Sequence, residues 1–346
     1  QSIAKIRSRG LFREVKKKVT DGSKKDQKII EIEVEEQATG EISAGAGIGT
    51  SGGSVEFSVT ENNWLGRGIN VGFSLAGGKE SLTGSLSVID PNYKFSGNSL
   101  NYFVENTTND KPDSGFKNNI ITTGIGTRFE QYRNVYLSPG LNFSFDDLKV
   151  DNTASESLKK QKGQFTDLSF RYGISVDNRD KVYAPTNGYI SSFTQILPIY
   201  ADSPSLSNNY SFSKYQMLTP SAIGAFKLHA STITGLDDKD ARLNKRINLS
   251  PRKLRGFEKG KVGPKDGEDF VGGNYAMASN FEVSLPNLLP ESTKTDVGLF
   301  LDFGNIWEVD YDANINDSNK IRSSIGVSTQ WLSPIGPMSF VFAQNL

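Results

Sequence analysis

The sequence predicts an all-β fold: a transmembrane antiparallel β-barrel of the 16-strand type, with roughly fifteen strands present, preceded by part of a small α+β domain. Apolar and polar residues alternate along one segment after another from residue 41 onward, as in strands with one apolar face. Short and long polar connections separate these segments in turn, as at the two rims of a membrane barrel. No run of about 18 apolar residues occurs, which excludes a helical membrane span.

The composition agrees with such a barrel. The chain has 346 residues with 39 basic and 39 acidic side chains, so no overall charge favours a nucleic-acid partner. It contains 34 glycines, 21 phenylalanines and 12 tyrosines, which suit closely packed strands with aromatic residues at a lipid–water boundary. The absence of cysteine excludes disulfides and thiolate metal sites. A mean hydropathy of −0.43 is compatible with a membrane barrel, because only alternate residues face lipid.

Residues 1–39 differ from the rest of the chain. Residues 2–9 are predicted to be the end of a basic helix, with Gly10 as its C-cap. Residues 12–19 and 28–36 are predicted to pair as a hairpin around the turn at 21–23. Because Gln1 falls inside the helical segment, we expect the chain to be a piece of a longer protein.

The strands from residue 41 onward are predicted from alternation alone. Leu168, Phe170, Tyr172, Ile174 and Val176 alternate with polar or small residues, and other segments show the same pattern. Short connections are predicted at 62–66, 90–93 and 333–337, and long ones at 105–114, 146–163, 202–209, 235–270 and 308–319. Aromatic residues collect near the strand ends, as in an interfacial girdle.

The longest connection contains the tetrapeptide Leu254-Arg255-Gly256-Phe257. On two segments that follow it, alternation turns Glu282 and Asp302 toward the inside of the barrel, whereas Phe300 departs from the pattern. Carboxylates are common on a water-filled lumen wall, so their presence alone has a simple explanation. The more specific interpretation is a clamp on Arg255, because the guanidinium fork matches carboxylate geometry.

These motifs occur in the order found in the BamA family of outer-membrane β-barrel assembly factors, which the chain resembles along its whole length. The residues that resemble the family's loop motif, loop re-entry and inner wall are Leu254-Arg255-Gly256-Phe257, Val271-Gly272-Gly273-Asn274, Phe281-Glu282 and Leu301-Asp302-Phe303-Gly304. Two turns are also similar to the family, Asn63-Trp64-Leu65-Gly66 and Trp331-Leu332-Ser333-Pro334-Ile335-Gly336-Pro337. The chain stops at Gln344-Asn345-Leu346, where the family has one further strand, so we expect a truncated sequence.

The resemblance implies a division into residues 1–39, the C-terminal part of the last periplasmic POTRA domain, and residues 40–346, the outer-membrane barrel with loop 236–270 folded into its lumen. It implies insertion of β-barrel proteins into the bacterial outer membrane, with no enzyme activity, cofactor or metal. The implied partners are nascent outer-membrane proteins, the lipoproteins of the BAM complex, periplasmic chaperones and outer-membrane lipid, and no nucleic acid.

A lateral seam is expected at the first barrel strand. Gly45, Gly47 and Gly49 recur there, and glycine weakens a strand and leaves its register poorly specified. Together with the resemblance, this spacing predicts a seam between the first and last strands that opens and templates client strands.

Several alternatives remain open. A two-partner secretion pore or a TamA-like translocation factor shares the Arg-Gly-Phe loop, and a passive porin or a soluble β-sandwich fits less of the pattern. An enzyme is disfavoured because His229 is the only histidine. The run Asp310-x-Asp312-x-Asn314-x-Asn316 suggests a calcium loop but lacks its glycine and its terminal glutamate.

Overall fold

A computed structural model describes residues 10–24, 26–49, 52–286, 288–312, 315, 317, 319–333 and 336–346. The basic helix predicted at residues 2–9 lies outside the described residues. No helix among the described residues is long and apolar enough to cross a membrane.

The first structured unit is the predicted hairpin, formed by β1 (Phe12–Asp21) and β2 (Lys28–Glu36). Unlike charges face one another across it, since Lys16 is paired with Glu33 and Lys18 with Glu31. On its other face Ile30 and Ile32 are exposed.

All the remaining long strands form a single antiparallel sheet of 16 strands. The strands before the longest connection are β3 (Gly40–Gly49), β4 (Gly52–Trp64), β5 (Ile69–Gly78), β6 (Ser81–Asp90), β7 (Ser99–Lys111), β8 (Phe116–Tyr132), β9 (Val135–Leu137), β10 (Gly140–Val150), β11 (Gly163–Asp177), β12 (Gly188–Ala201), β13 (Ser205–Thr219) and β14 (Ala222–Gly235). Within that connection lie β15 (Lys265–Asp266) and β16 (Asp269–Phe270), which pair only with each other, and the sheet continues with β17 (Tyr275–Leu285), β18 (Thr295–Trp307), β19 (Arg322–Ser333) and β20 (Gly336–Asn345).

The sheet has fifteen positions for its 16 strands, because β9 and β10 both pair with β8 and β11 and form one interrupted strand. Its two ends are β3 and β20, and no ladder joins these two among the described residues. One short helix, α1 (Glu156–Lys159), follows β10, and single 3-10 turns occur at Tyr93–Phe95, Pro112–Ser114, Leu243–Lys245 and Glu291–Thr293.

The sheet is curled, because the connection between β14 and β17 reaches strands far away in its order. Lys261 of this connection pairs with Asp113 beyond β7, Arg242 with Asp167 of β11, and Arg255 with Asp302 of β18. One segment can touch all three places only if the sheet wraps around it. The connection from residue 236 to residue 274, here called the lumen loop, therefore lies inside the barrel.

The outer face carries a row of aromatic rings. Tyr189, Phe212, Phe226, Phe281 and Phe303 lie on five neighbouring strands, with successive ring centroids 5.0–6.4 Å apart. A band of rings on the face turned away from the lumen is what a lipid-facing surface requires.

The connections between strands lie at two edges of the barrel. We call the edge with the connections after β4, β6, β8, β11, β13, β17 and β19 the lower rim, and the opposite edge the upper rim.

The connections differ in part from those predicted. The polar stretches 105–114 and 202–209 were expected to be long loops, but most of each lies in β7 or β13. Polar residues continue the hydrogen-bonded ladder there. The prediction rested on polar composition and therefore assigned these strand ends to loops. The long upper-rim connections are 151–162, 236–274 and 308–321.

Candidate functional site

The lumen loop folds onto the inner wall through a small apolar core. Leu249, Leu254 and Val262 of the loop are buried against Ala276 and Ile306 of β17 and β18, together with Ala278. The backbone N–H groups of Lys253 and Leu254 both donate to the carbonyl of Ser250, at 2.8 and 3.2 Å. This turn directs the next residue, Arg255, toward the wall.

Arg255 lies between the two carboxylates that alternation turns inward. Its Nε and Nη2 donate to the two oxygens of Asp302 at 2.7 and 2.6 Å, and its Nη1 lies 2.8 Å from Oε1 of Glu282. The backbone N–H of Arg255 also donates to Asp302, at 3.1 Å. Asp302 is fully buried, with 0% exposure. Such a two-pronged contact fixes the orientation of the guanidinium plane as well as its position.

Phe300 is the apolar exception that the sequence marked on its strand, and the structure supplies the reason for it. It faces inward on β18 with only 3% exposure, and its ring centroid lies 3.6 Å from the central carbon of the Arg255 guanidinium. An aromatic face attracts a cation, so the ring forms the floor of the arginine site. The apolar residue on the inner wall is therefore part of the same contact as Asp302.

The other residues of the tetrapeptide contact neighbouring strands. The hydroxyl of Ser324 on β19 donates to the carbonyl of Arg255 at 2.6 Å. Gly256 has a φ of 85°, and a Cβ added to it would lie 2.4 Å from Oδ1 of Asn345 on β20. Phe257 packs against the apolar core of the loop. The tetrapeptide thus contacts β17, β18, β19 and β20, the last four strands of the sheet.

Glu282 is shared between two cations. Its other oxygen, Oε2, accepts a hydrogen bond from Lys227 of β14 at 2.5 Å. Its side chain is 24% exposed, whereas that of Asp302 is completely buried. Asp302 is therefore the stronger and more specific partner of Arg255.

A second buried arginine, Arg242, fastens the other end of the lumen loop and was not found from the sequence. Its Nη2 lies 2.6 Å from Oδ2 of Asp167 on β11, its Nη1 lies 3.4 Å from Oδ2 of Asp146 on β10, and its guanidinium stacks 4.1 Å from the ring centroid of Phe165. Lys245 also binds Asp167, at 2.6 Å. Burial lowers the pKa of Lys245 and Arg242 lowers it further, whereas the carboxylates raise it.

A third buried arginine, Arg246, binds the loop that precedes β19. It pairs with Asp310, donates to Oδ1 of Asn274 at 2.5 Å and stacks 4.8 Å from the ring centroid of Tyr311. Asp310 belongs to the sequence that resembled a calcium loop, of which Asn314 and Asn316 lie outside the described residues. Among the described residues, no group of three or more possible ligands is arranged to hold a metal ion.

The predicted re-entry residues lie where the loop rejoins the sheet. Gly272 has a φ of 67°, and a Cβ on Gly273 would lie 2.4 Å from the carbonyl oxygen of Trp307. The backbone N–H of Asn274 donates to Trp307 and Glu308, at 3.0 and 2.7 Å. The two glycines allow this close backbone approach.

The predicted seam glycines lie apart from the arginine site. Gly45, Gly47 and Gly49 are on β3, an exposed end strand that pairs with β4. A Cβ added to Gly45 or Gly49 would meet no atom within 4 Å. Packing among the described residues therefore does not require glycine at these two positions.

The fold and these contacts can be compared with known proteins. A family model described as the Omp85 superfamily domain matches residues 63–346, which is most of the chain. The chain belongs to the Omp85 superfamily. This Omp85 chain is 26% identical to the outer membrane protein assembly factors BamA of Neorickettsia risticii and Neisseria meningitidis, over 92% and 93% of its length. It spans only 44% and 46% of those two proteins.

Solved structures of similar fold include a BamA and a CdiB. The crystal structure of Haemophilus ducreyi BamA lacking POTRA domains 1–3 matches all of the chain and 74% of its own, with a TM-score of 0.84 and 23% identity. CdiB from Escherichia coli matches 98% of the chain and 65% of its own, with a TM-score of 0.65 and 14% identity. The predicted barrel, its resemblance to BamA and its location in the bacterial outer membrane are confirmed.

Proposed function

We propose that this chain is the membrane-embedded part of a BamA-type assembly factor, which inserts β-barrel proteins into the bacterial outer membrane. The observation that carries the proposal is the similarity to BamA proteins over 92% to 96% of the chain. The function is non-catalytic: it needs neither cofactor nor covalent chemistry, because client strands form their own hydrogen bonds as they pair.

Insertion takes place at a seam between β3 and the last strand of the barrel. An end strand presents unpaired N–H and C=O groups, which costs free energy in lipid and favours pairing with another strand. The glycines of β3 weaken its register, so a client strand can add to it and later leave it. The substrates are therefore nascent outer-membrane β-barrel proteins.

The lumen loop acts as a brace for this seam. Arg255 holds the loop against β17 and β18, while Ser324 and Asn345 extend the contact to β19 and β20. Arg242 holds the same loop against β10 and β11. A loop bound at both places keeps the wall beside the seam in position while the seam itself opens.

Residues 1–39 belong to the periplasmic side in this proposal, as the end of the last POTRA domain. The hairpin β1–β2 precedes β3, which starts at the lower rim, so this rim faces the periplasm. Client proteins arrive there with periplasmic chaperones, and the lipoproteins of the BAM complex bind through the POTRA domains.

Depletion of the protein in its own bacterium, followed by quantitation of the outer-membrane proteome, tests the function. We expect several unrelated β-barrel proteins to decrease together. The second candidate is a two-partner secretion pore, which the likeness of fold to CdiB brings into consideration. Loss of one secreted protein, with normal levels of the barrels, would favour that candidate and contradict the proposal.

A disulfide across the seam tests the mechanism separately. One cysteine replaces Gly45, and the other is placed in the strand that faces β3 in the full-length protein. We expect oxidation to stop client assembly and reduction to restore it, while Gly45→Cys alone remains active. Unimpaired assembly with the seam locked would refute the opening of the seam.

A further inference from the structure

Four turns of the lower rim present large apolar side chains to the surroundings. Leu65, Phe95, Tyr132 and Tyr183 are exposed by 78%, 94%, 70% and 89%. Leu65, Phe95 and Tyr183 lie in the connections after β4, β6 and β11, and Tyr132 is the last residue of β8, next to the turn that follows it. These turns occupy consecutive parts of the rim. Exposure of so many large apolar residues at one edge indicates a surface that contacts something other than water.

Backbone strain accompanies this exposure at two of the turns. Leu65 and Phe95 have φ values of 54° and 58°, in the left-handed region that glycine normally occupies. For other residues this conformation is unfavourable, because Cβ comes too close to the backbone. A bulky side chain here is unfavourable for the isolated fold, so a favourable contact outside the chain is needed to account for it.

Each of these turns also carries an exposed basic side chain within two residues of the apolar one. The four are Arg67, Lys94, Arg133 and Lys181. None of them forms an ion pair with an acidic side chain of residues 10–24, 26–49 or 52–286. Lys94 lies over the ring of Tyr93, 5.2 Å from its centroid.

The acidic side chains of the same turns are bound within the turns themselves. Glu61 accepts the backbone N–H of Asn63 at 2.6 Å, Asp90 that of Asn92 at 3.0 Å, and Glu130 that of Asn134 at 2.8 Å. Asp180 accepts from the backbone of Thr186 at 2.9 Å. The outward surface of each turn is therefore apolar and positive, while its negative charge stabilises the turn.

We propose that these lower-rim turns form a docking surface for anionic phospholipid headgroups of the periplasmic leaflet. Lipid is the partner that this surface fits best, because the turns lie at the end of a lipid-facing barrel, where the headgroups begin. Aromatic and aliphatic tips enter the interface, and lysine and arginine bind phosphate. The surface sets the depth of the barrel in the membrane and collects anionic lipid around it.

Fluorescence quenching by brominated lipids tests the selectivity in the full-length protein in vesicles. Replacing Trp307 and Trp331 by Phe leaves Trp64, beside Leu65, as the only tryptophan of this chain. We expect dibrominated phosphatidylglycerol to quench Trp64 with an apparent affinity about threefold or more above that of dibrominated phosphatidylcholine at low salt. High salt should remove most of the difference, because exposed charges are screened.

A matched pair of charge variants gives the specific control. The test variant combines Arg67→Gln, Lys94→Gln, Arg133→Gln and Lys181→Gln, and should lose the preference. The control variant removes the same charge from the upper rim with Lys149→Gln, Lys160→Gln, Lys162→Gln and Lys239→Gln, and should keep it. Equal quenching by both lipids in the unaltered charge background, or a preference that survives in the test variant, would overturn the proposal.

A second reporter separates lipid from a periplasmic protein as the occupant. Phe95→Trp, in a background with Trp64, Trp307 and Trp331 replaced by Phe, places the probe at the most exposed tip. In vesicles of phosphatidylglycerol and phosphatidylcholine, we expect brominated lipid to quench it and aqueous iodide to be excluded. Quenching by iodide alone would show a tip in water and would leave a protein as the partner, against the proposal.

Discussion

The guanidinium of Arg255 lies over the ring of Phe300, with 3.6 Å between its central carbon and the ring centroid. Asp302, two residues further along the same strand, binds two nitrogens of that guanidinium at 2.7 and 2.6 Å. One face and one edge of the arginine are thus held by the same strand, which makes β18 the main attachment of the lumen loop.

Phe300→Leu should weaken this attachment without creating an unpaired charge. A partly desolvated cation–π contact contributes about 1–2 kcal/mol, so the free energy of unfolding should fall by about that amount. Urea unfolding followed by gel mobility measures it. Phe303→Leu, on the lipid face of the same strand, is the matched control for loss of an aromatic ring. A larger effect at Phe303 than at Phe300 would contradict the role of the stacked ring.

Asp302→Asn should destabilise the barrel more than Glu282→Gln. Asp302 is fully buried and is bound by two guanidinium nitrogens, so removal of its charge leaves Arg255 poorly compensated, at a cost of about 3 kcal/mol. Glu282 is partly exposed and is shared with Lys227. Removal of its charge should therefore cost less, because water can solvate the cations that lose this partner. The free energies of unfolding of the two variants, measured in parallel, show which substitution destabilises the barrel more. The reverse order would mean that Glu282 is the main partner.

Arg242→Ala should release the first part of the lumen loop, around residue 242, from β10 and β11. It leaves Asp146 and Asp167 buried, with Lys245 as the remaining cation of the loop near them. Proteinase K added to intact cells should then cut within residues 236–270 faster than in the unaltered protein. Arg252→Ala is the control, because it removes a loop arginine outside the three buried sites. Unchanged cleavage after Arg242→Ala would show that the apolar core alone holds the loop.

Gly273→Ala should disturb the return of the loop into β17. Its Cβ would lie 2.4 Å from the carbonyl oxygen of Trp307 and 2.6 Å from Cγ2 of Ile306, and a backbone oxygen cannot move aside without breaking the ladder. We expect a loss of at least about 1–3 kcal/mol in the free energy of unfolding, as for overpacking. Gly45→Ala meets no atom within 4 Å and should be nearly neutral by the same measurement. Equal effects would contradict the close approach.

Much of the barrel could be predicted from alternation, because a strand with one face in lipid must repeat every second residue. The same rule turned Glu282 and Asp302 inward. It states the face of a residue but not its contacts, so it marked Phe300 as an apolar exception without giving a reason. The reason is the contact of its ring with Arg255. The strand ends at 105–111 and 205–209 were missed for a related reason, since alternation fades where strands leave the membrane.

The anchors at Arg242 and Arg246 could not be predicted, because an irregular loop has no period that assigns its side chains to a face. A partial signal existed. Asp167 already fell on the inner face of its strand, where a buried carboxylate requires a cation. The cation comes from a segment 75 residues later, and only the fold brings the two together.

The central claim is that the clamp of Arg255 on Asp302 supports the assembly of other barrels. The most direct measurement replaces the gene with Arg255→Ala, Asp302→Ala or both, and quantifies several unrelated outer-membrane barrels relative to the amount of this protein in the membrane. We predict that each single variant lowers all of them and that the double variant is no worse than the more severe single one, because one contact is lost in each case. Normal levels of the client barrels in all three strains would contradict the account.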